Sequence, residues 1–311
     1  MKIPTGKLQA GPSLRAERSN PVKYKKEWIA TSDLKTFLAM TPIYKLLIIT
    51  AMFLINNTVF AKPKIVASIS PITSIIAMLV EDKAELTTIA ITNSCPHHYH
   101  LKPSDLKKIK DASLVVYIND EFDGFAAKLM KSHNNNVMKI SDIKSIKIID
   151  NNWHFWLDLS NIKILLDELA IILARNFPEI RNDIYLNLDK AKKQIEELDK
   201  IKNQKLSDLP HVILLSDSLE YFFSFNKENN TRLYQSHNSP RYLSRLEKLL
   251  NKSEKNCLIL SSDQPKEFYK RFNTKIIELE SENWADSGKI EQLFYKKYIK
   301  MIDEVVKCND E

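Results

Sequence analysis

The chain has 311 residues, of which 44% are hydrophobic and 27% are charged, a globular composition that excludes an intrinsically disordered protein. This length leaves room for two domains, each with its own core. Glycine occurs only four times, and only Gly124 and Gly288 lie beyond residue 61, so a glycine-rich phosphate-binding loop is excluded.

The positive charge is concentrated at the N terminus. Residues 1–39 hold eight basic and three acidic side chains, a net +5, and Lys45 adds one more. Subtracting both from the total of +7 leaves +1 for residues 62–311. A basic protein would normally suggest a nucleic-acid partner. Because the excess lies in a segment that we expect to be removed, we predict no nucleic-acid partner.

A largely apolar run of ten residues extends from Leu46 to Ile55. It is shorter than the ~20 residues that a membrane-spanning helix needs. It has the length of a signal-peptide core, with Lys45 before it and the cleavage-like sequence Val-Phe-Ala ending at Ala61. We predict a signal peptide over residues 40–61, cleaved after Ala61, and a periplasmic protein. The residue directly after this site is Lys62 and not a cysteine that could carry a lipid, so we expect a free soluble protein.

Residues 1–39 precede Met40, which would be a conventional start for this signal peptide. We interpret them as an N-terminal extension outside the folded protein. The stretch TGKLQAGPSLRAERSNPVKYKKEWIA resembles the translated palindromic-repeat inserts of some reduced bacterial genomes. A wrongly assigned start codon is the alternative.

Strands and helices alternate after the signal peptide. Apolar runs and capping patterns predict strands at 64–69, 86–91, 114–118 and 137–140, with helices at 71–79, 103–110, 122–130 and 161–176. This alternation indicates βα units on a mostly parallel sheet. We assign residues 62–177 to an N-terminal lobe.

A long helix follows over residues 178–206. It begins at Pro178, no glycine or proline interrupts it before Lys205, and apolar residues recur at helical spacing. At ~1.5 Å per residue it makes a rod of about 42 Å. We interpret it as a linker rather than one more packed helix, because βα alternation restarts after it.

That second series of βα units predicts strands at 212–215, 257–260 and 275–279, with helices at 243–250, 265–272 and 290–306. The predicted fold is α/β: two lobes with mostly parallel sheets, with residues 207–311 as the C-terminal lobe, joined by one long backbone helix.

Three of the seven histidines, His97, His98 and His100, lie in one short loop after a predicted strand. Imidazoles at this density suit a borderline-soft divalent metal such as Zn²⁺. Exposed loop histidines without a ligand are the alternative.

The surrounding stretch SCPHHYHLKPSDLKKIKDASLVVYINDEFDGF, residues 94–125, resembles the signature of cluster A-I solute-binding proteins, the zinc and manganese receptors of ABC importers. The pattern P-H-x-Y-x-x-x-P-S-D fits without a gap, and the resemblance extends through most of residues 64–308. It implies a metal cleft between two α/β lobes, capture of zinc or manganese in the periplasm, and delivery to an ABC permease. We expect the receptor to be a monomer.

The resemblance also implies metal ligands. The first family histidine falls on His97, the second on His154 within His-Phe-Trp-Leu-Asp, and the acidic ligand on Glu280, with Glu278, Glu282 and Asp286 nearby. The third position falls on Ser216, a poor ligand, with Asp217 next to it. A strand alternates its side chains, so Asp217 could serve only if the strand has ended. A disulfide common in the family matches Cys257–Cys308, which leaves Cys95 unpaired.

Three interpretations of the site stay open. In the first, His97, His154, Glu280 and Asp217 bind the ion, which favours manganese or iron over zinc. In the second, water or a neighbour from Cys95, His98 or His100 completes a zinc site. In the third, the site has decayed and binds metal weakly or not at all.

Enzymatic function is not expected. The sequence lacks the H-E-x-x-H motif of zinc proteases and the G-x-S-x-G motif of serine hydrolases. A receptor saturates the coordination of its ion, whereas a catalytic metal keeps a position open. Because Ser216 would leave the third ligand position open, a metal-dependent hydrolase stays as the less favoured alternative.

Overall fold

The computed structural model describes Pro42 and residues 61–90, 99–130, 136–225, 229–234, 239–253, 255–284 and 288–310. The chain divides into two units, Met1–Phe60 and Ala61–Glu311. All described residues except Pro42 belong to the second unit. The predicted extension and almost all of the predicted signal peptide lie outside the described residues. None of the helices in the described part of the chain combines the length and the apolar character needed to cross a bilayer.

The N-terminal lobe contains a four-stranded parallel sheet in the order β2-β1-β3-β4. Its strands are β1 (Lys64–Ile69), β2 (Glu85–Ala90), β3 (Leu114–Tyr117) and β4 (Asn136–Lys139). Its helices are α1 (Ser70–Val80), α2 (Pro103–Lys110), α3 (Gly124–Met130) and α4 (Leu159–Asn176). The central strands β1 and β3 are almost wholly buried, as expected for a parallel sheet with helices on its faces.

The linker helix begins with a 3₁₀ turn, Pro178–Ile180, and continues as α5 (Arg181–Lys205). One face of α5 is buried through Ile184, Ala191 and Ile195 against α1 and α4. The predicted long helix is therefore present.

The C-terminal lobe repeats the βα pattern in a second four-stranded parallel sheet, in the order β6-β5-β7-β8. Its strands are β5 (His211–Leu214), β6 (Asn230–Arg232), β7 (Asn256–Ser261) and β8 (Lys275–Leu279), and its helices are α6 (Pro240–Leu250), α7 (Lys266–Tyr269) and α8 (Leu293–Val306). The predicted two-lobe α/β architecture is confirmed. The candidate site residues lie in the segments after β2, β4, β5 and β8.

One hydrophobic core runs through both lobes. The same cluster of buried side chains includes Ile65 of β1, Leu198 of α5, Val212 of β5 and Phe294 of α8. The lobes are thus packed together along the linker, which favours small local movements over a wide hinge motion.

The disulfide Cys257–Cys308 is present and joins β7 to the turn after α8. Both cysteines are buried, and they lie 51 residues apart. A closed loop of this length stabilises the folded state by about 4 kcal/mol in the chain-entropy model.

A buried lysine, Lys202, lies near the end of α5. Its Nζ lies 4.7 Å from the ring centroids of both Phe222 and Phe225, and it donates to the Tyr298 hydroxyl at 3.3 Å. That hydroxyl donates to the carbonyl of Leu157 at 2.8 Å. Burial lowers the pKa of Lys202 to about 8. A cation in this position therefore costs stability, which the aromatic rings offset in part.

Lys202→Met is expected to raise the free energy of unfolding by roughly 1–2 kcal/mol at about pH 7, because burying the charge costs about 3 kcal/mol before the cation–π attraction is counted. The unfolded chain binds more protons than the folded one between pH 8 and 10.5. Wild-type stability therefore rises with pH through this window, and the advantage of the variant shrinks by about 1 kcal/mol towards pH 9. Urea unfolding at both pH values measures this change. Lys193→Met, on the exposed face of the same helix, is the control and should show no such difference.

Candidate metal site

His154 lies at the end of a tight turn in the N-terminal lobe, where Asp150 and Asn151 adopt left-handed backbone conformations with φ of 44° and 60°. A 3₁₀ turn follows it. The imidazole is buried between two aromatic rings, with its centroid 5.2 Å from that of Phe122 and 5.1 Å from that of Trp156. These rings hold the imidazole plane and leave its two nitrogen atoms for polar contacts.

Each ring nitrogen of His154 has an oxygen partner. Nδ1 lies 2.7 Å from Oδ1 of Asn152, and Nε2 lies 2.6 Å from Oε1 of Glu282. Glu282 belongs to the loop after β8, so this contact joins an imidazole of one lobe to a carboxylate of the other. At 2.6 Å the two atoms are within hydrogen-bonding distance. Both groups are ligands that zinc and manganese accept.

The loop that carries Glu282 is fixed by the N-terminal lobe. The Ser70 hydroxyl donates to the carbonyl of Glu282 at 3.1 Å and accepts from the backbone N–H of Trp284 at 2.9 Å. The indole of Trp156 donates to the carbonyl of Ser281 at 2.8 Å. Three contacts within four residues therefore hold the carboxylate of Glu282 opposite His154.

Glu280, the acid suggested by the resemblance, has other partners in the structure. Its carboxylate accepts from the Ser262 hydroxyl at 2.8 Å and from the backbone N–H groups of Glu282 and Asn283 at 3.1 and 2.8 Å. These bonds make Glu280 a cap of the loop. The structure pairs His154 with Glu282 instead, two residues further along the chain.

Ser216 and Asp217 follow β5, which ends at Leu214. The Ser216 hydroxyl lies 2.9 Å from that of Ser218, to which Ser281 donates at 3.1 Å. Asp217 begins a 3₁₀ turn, so the strand has ended before it. The alternation of side chains along a strand therefore no longer argues against Asp217 as a metal ligand. It is exposed and lines a cavity of about 220 Å³ together with His154 and other residues of the cleft.

The histidine loop is only partly described. Cys95, His97 and His98 lie outside the described residues, and His100 is exposed. The rest of the motif is ordered by Asp105, which accepts from the Tyr99 hydroxyl at 2.8 Å and from the Lys102 N–H at 3.0 Å. Burial alone would raise the pKa of Asp105, but these bonds and the nearby Lys108 hold it below its ordinary value.

A buried carboxylate supports Phe122 beside the site. Asp123 accepts from the backbone N–H groups of Ile118 and Asn119 at 2.7 and 2.8 Å and so closes the turn after β3. Burial raises the pKa of Asp123 to about 6 in spite of these bonds. This turn positions the ring that packs against His154.

Among the described residues, no three of histidine, cysteine, aspartate and glutamate converge closely enough to hold a metal ion. The described part of the site is the pair His154 and Glu282. Sequence reasoning preferred Glu280 over Glu282 because Glu280 directly follows the predicted strand. The only local signal for Glu282 was its membership in the same group of acids, since its contact with His154 is tertiary.

Two parallel-sheet lobes, a long linking helix and polar residues between the lobes are the architecture of a solute-binding protein. A profile of the family described as "Zinc-uptake complex component A periplasmic" matches residues 65–308. The chain belongs to this family.

Several individual proteins are similar to this chain. The uncharacterized protein RP014 of Rickettsia prowazekii is 46% identical over 277 residues, covering 88% of this chain and 93% of that protein. The high-affinity zinc uptake system protein ZnuA of Haemophilus ducreyi is 23% identical over 197 residues, covering 50% of this chain and 64% of that protein. The periplasmic zinc-binding protein TroA of Treponema pallidum superimposes with a TM-score of 0.69 at 17% identity, over 80% of this chain and 99% of that chain. This last likeness shows the fold alone.

Proposed function

We propose that this protein captures a divalent transition metal, zinc or manganese, outside the cytoplasm and delivers it to an ABC permease. The observation that carries the proposal is the contact of 2.6 Å between Nε2 of His154 and Oε1 of Glu282 across the two lobes. The contact supports the proposal because it brings together a nitrogen and an oxygen atom of the kinds that bind these ions, in a member of a zinc-uptake family. The zinc uptake function named for the relative in Haemophilus ducreyi supports the same cargo.

The proposed ligands are His154, Glu282 and, from the loop after β2, His97. Glu282 takes the place first given to Glu280, because Glu280 uses its carboxylate to cap the loop. Asp217, which shares the cavity with His154, is the available carboxylate near the remaining position. Two imidazoles and one carboxylate suit zinc, and a second carboxylate would favour manganese.

Metal capture replaces a proton. His154 and Glu282 lie within hydrogen-bonding distance of each other, so an ion that binds both has to displace any proton that they share. The pair therefore keeps two ligand atoms close together before the ion arrives. Acid favours the proton over the metal, so metal affinity should fall as the pH is lowered.

The remaining features of the proposal concern the chain as a whole. We propose a periplasmic, monomeric receptor that has no nucleic-acid partner and no enzymatic activity. Its organisation would be an extension (1–39), a signal peptide (40–61), an N-terminal lobe (62–177), a linker (178–206) and a C-terminal lobe (207–311). Membership in a solute-binding family supports the receptor role.

Thermal unfolding tests the function. Zn²⁺ or Mn²⁺ at about 1,000 times its Kd should stabilise the chelator-stripped protein by about 4 kcal/mol, because the ion binds only the folded state. For a chain of this size that corresponds to a rise in Tm of roughly 8–16 °C. We expect His154→Ala to abolish the rise.

His211→Ala is the matched control. His211 lies in β5 and contacts Asn256 and Thr231, so its loss should lower stability and leave the metal-induced shift intact. An unchanged shift in His154→Ala would contradict the proposed site. No shift with either ion in the wild-type protein would instead support a diverged family member that has lost its metal. Esterase or peptidase turnover abolished by a chelator would favour the hydrolase alternative.

A further inference from the structure

Asn152, two residues before His154, uses both ends of its side-chain amide. Its Oδ1 accepts from the backbone N–H of His154 at 3.1 Å and lies 2.7 Å from Nδ1 of the same residue. Its Nδ2 donates to the carbonyl of Asp217 at 2.8 Å and to Oε2 of Glu220 at 3.4 Å. The amide therefore bridges His154 and the C-terminal lobe.

Contacts on both sides determine which way the amide points, since the backbone N–H of His154 can only donate to its oxygen. The carbonyl of Asp217 and the carboxylate of Glu220 can only accept hydrogen bonds, so the NH₂ group of Asn152 has to face them. Its oxygen then faces His154, and Nδ1 of the imidazole has to carry a proton to donate to it. Nε2 is the nitrogen left for the cleft, where it meets Glu282.

The acceptors of Asn152 are themselves anchored in the C-terminal lobe. Glu220 is buried and forms an ion pair with Arg232, which lies on β6. The neighbouring Tyr221 donates its hydroxyl proton to the carbonyl of Asn152 at 2.7 Å and accepts from the N–H of Ile149 at 2.8 Å. The turn before His154 is thus held from the opposite lobe.

We propose that Asn152 is a positioning residue through which the C-terminal lobe prepares His154 for metal. It selects the form with a proton on Nδ1 and aims the lone pair of Nε2 at the cargo. This inference rests on the proposed function, since it assumes that Nε2 binds the ion. It also links His154 to contact between the lobes, because Asp217 and Glu220 add to the N–H of His154 in holding the amide in this orientation.

The test combines ¹⁵N NMR of histidine-labelled, metal-free protein at mildly alkaline pH with Zn²⁺ titration by chelator competition. In the wild type, Nδ1 of His154 should give the signal of a protonated nitrogen. Asn152→Leu keeps the size of the side chain and removes its hydrogen bonds. In this variant Nδ1 of His154 should no longer be the preferentially protonated nitrogen. Zn²⁺ binding should weaken by roughly 10–100-fold, the usual cost of losing a partner that orients a ligand.

Tyr221→Phe is the matched control, because it loosens the same turn without touching the imidazole. It should lower stability and leave Nδ1 protonated. An unprotonated Nδ1 in the wild type would overturn the inference, even if Asn152→Leu failed to fold. Retention of the protonated signal in Asn152→Leu would overturn it too. Because the NMR readout needs no metal, a protein with the expected signals but no Zn²⁺ affinity would refute the proposed function alone.

Discussion

Glu282→Gln is expected to weaken metal binding by roughly 100-fold, and Glu280→Gln by less than about threefold. The difference follows from the partners of the two acids. Glu282 meets Nε2 of His154, whereas Glu280 binds Ser262 and the backbone of its own loop. Removing one charge from a desolvated site costs about 3 kcal/mol. Losing one loop bond costs about 1 kcal/mol of folding stability and no ligand.

Isothermal titration with Zn²⁺ and Mn²⁺ measures both variants. The two substitutions are chemically identical and lie two residues apart in one loop, so each serves as the control of the other. Thermal unfolding without metal should show the reverse order, with Glu280→Gln the less stable variant. If Glu280→Gln weakened metal binding more than Glu282→Gln, Glu280 would be the ligand and the loop would rearrange when metal binds.

Ser216→His is expected to strengthen Zn²⁺ binding by roughly 10–100-fold. A serine hydroxyl is a poor ligand for zinc, whereas an imidazole nitrogen is a preferred one. Ser216 follows β5 directly, and the carbonyl of the next residue, Asp217, already contacts Asn152 beside His154. The substitution also leaves Ser218 its bond to Ser281. Competition with a chromogenic chelator measures the gain.

Asp217→Asn complements this experiment. Asp217 is exposed and lines the cavity. Asp217→Asn should therefore change Zn²⁺ affinity by a smaller factor than Ser216→His does. A large loss in Asp217→Asn together with no gain in Ser216→His would contradict the prediction. It would identify Asp217 as the ligand that replaces the family residue, and Mn²⁺ should then be the better cargo.

The sequence predicted the fold well because the signals of its parallel strands are local. β1 and β8 begin and end where their apolar runs do, at 64–69 and 275–279. The uninterrupted helical spacing likewise predicted the long linker. β6 was not predicted, since Asn230–Arg232 is a short polar edge strand whose pairing with β5 has no apolar signature.

The site was less predictable because its geometry depends on contacts between distant segments. The position of Glu282 is determined by Ser70, 212 residues earlier in the chain. The orientation of His154 depends on Asn152 and, through it, on the turn after β5. β5 ends at Leu214, so Asp217 lies beyond the strand and the alternation of strand side chains does not apply to it. None of these relations can be read from residue spacing.

The core shared by the lobes, which runs from β1 through α5 to α8, makes the two lobes one cooperative thermodynamic unit. Neither lobe can lose its packing without exposing apolar surface of the other, so local opening of one half is coupled to global unfolding. An ion bound at the cleft therefore protects residues far from it, including those around the disulfide. We therefore expect the unit Ala61–Glu311 to resist proteolysis far from the cleft when it is loaded, although the ion touches only a few side chains.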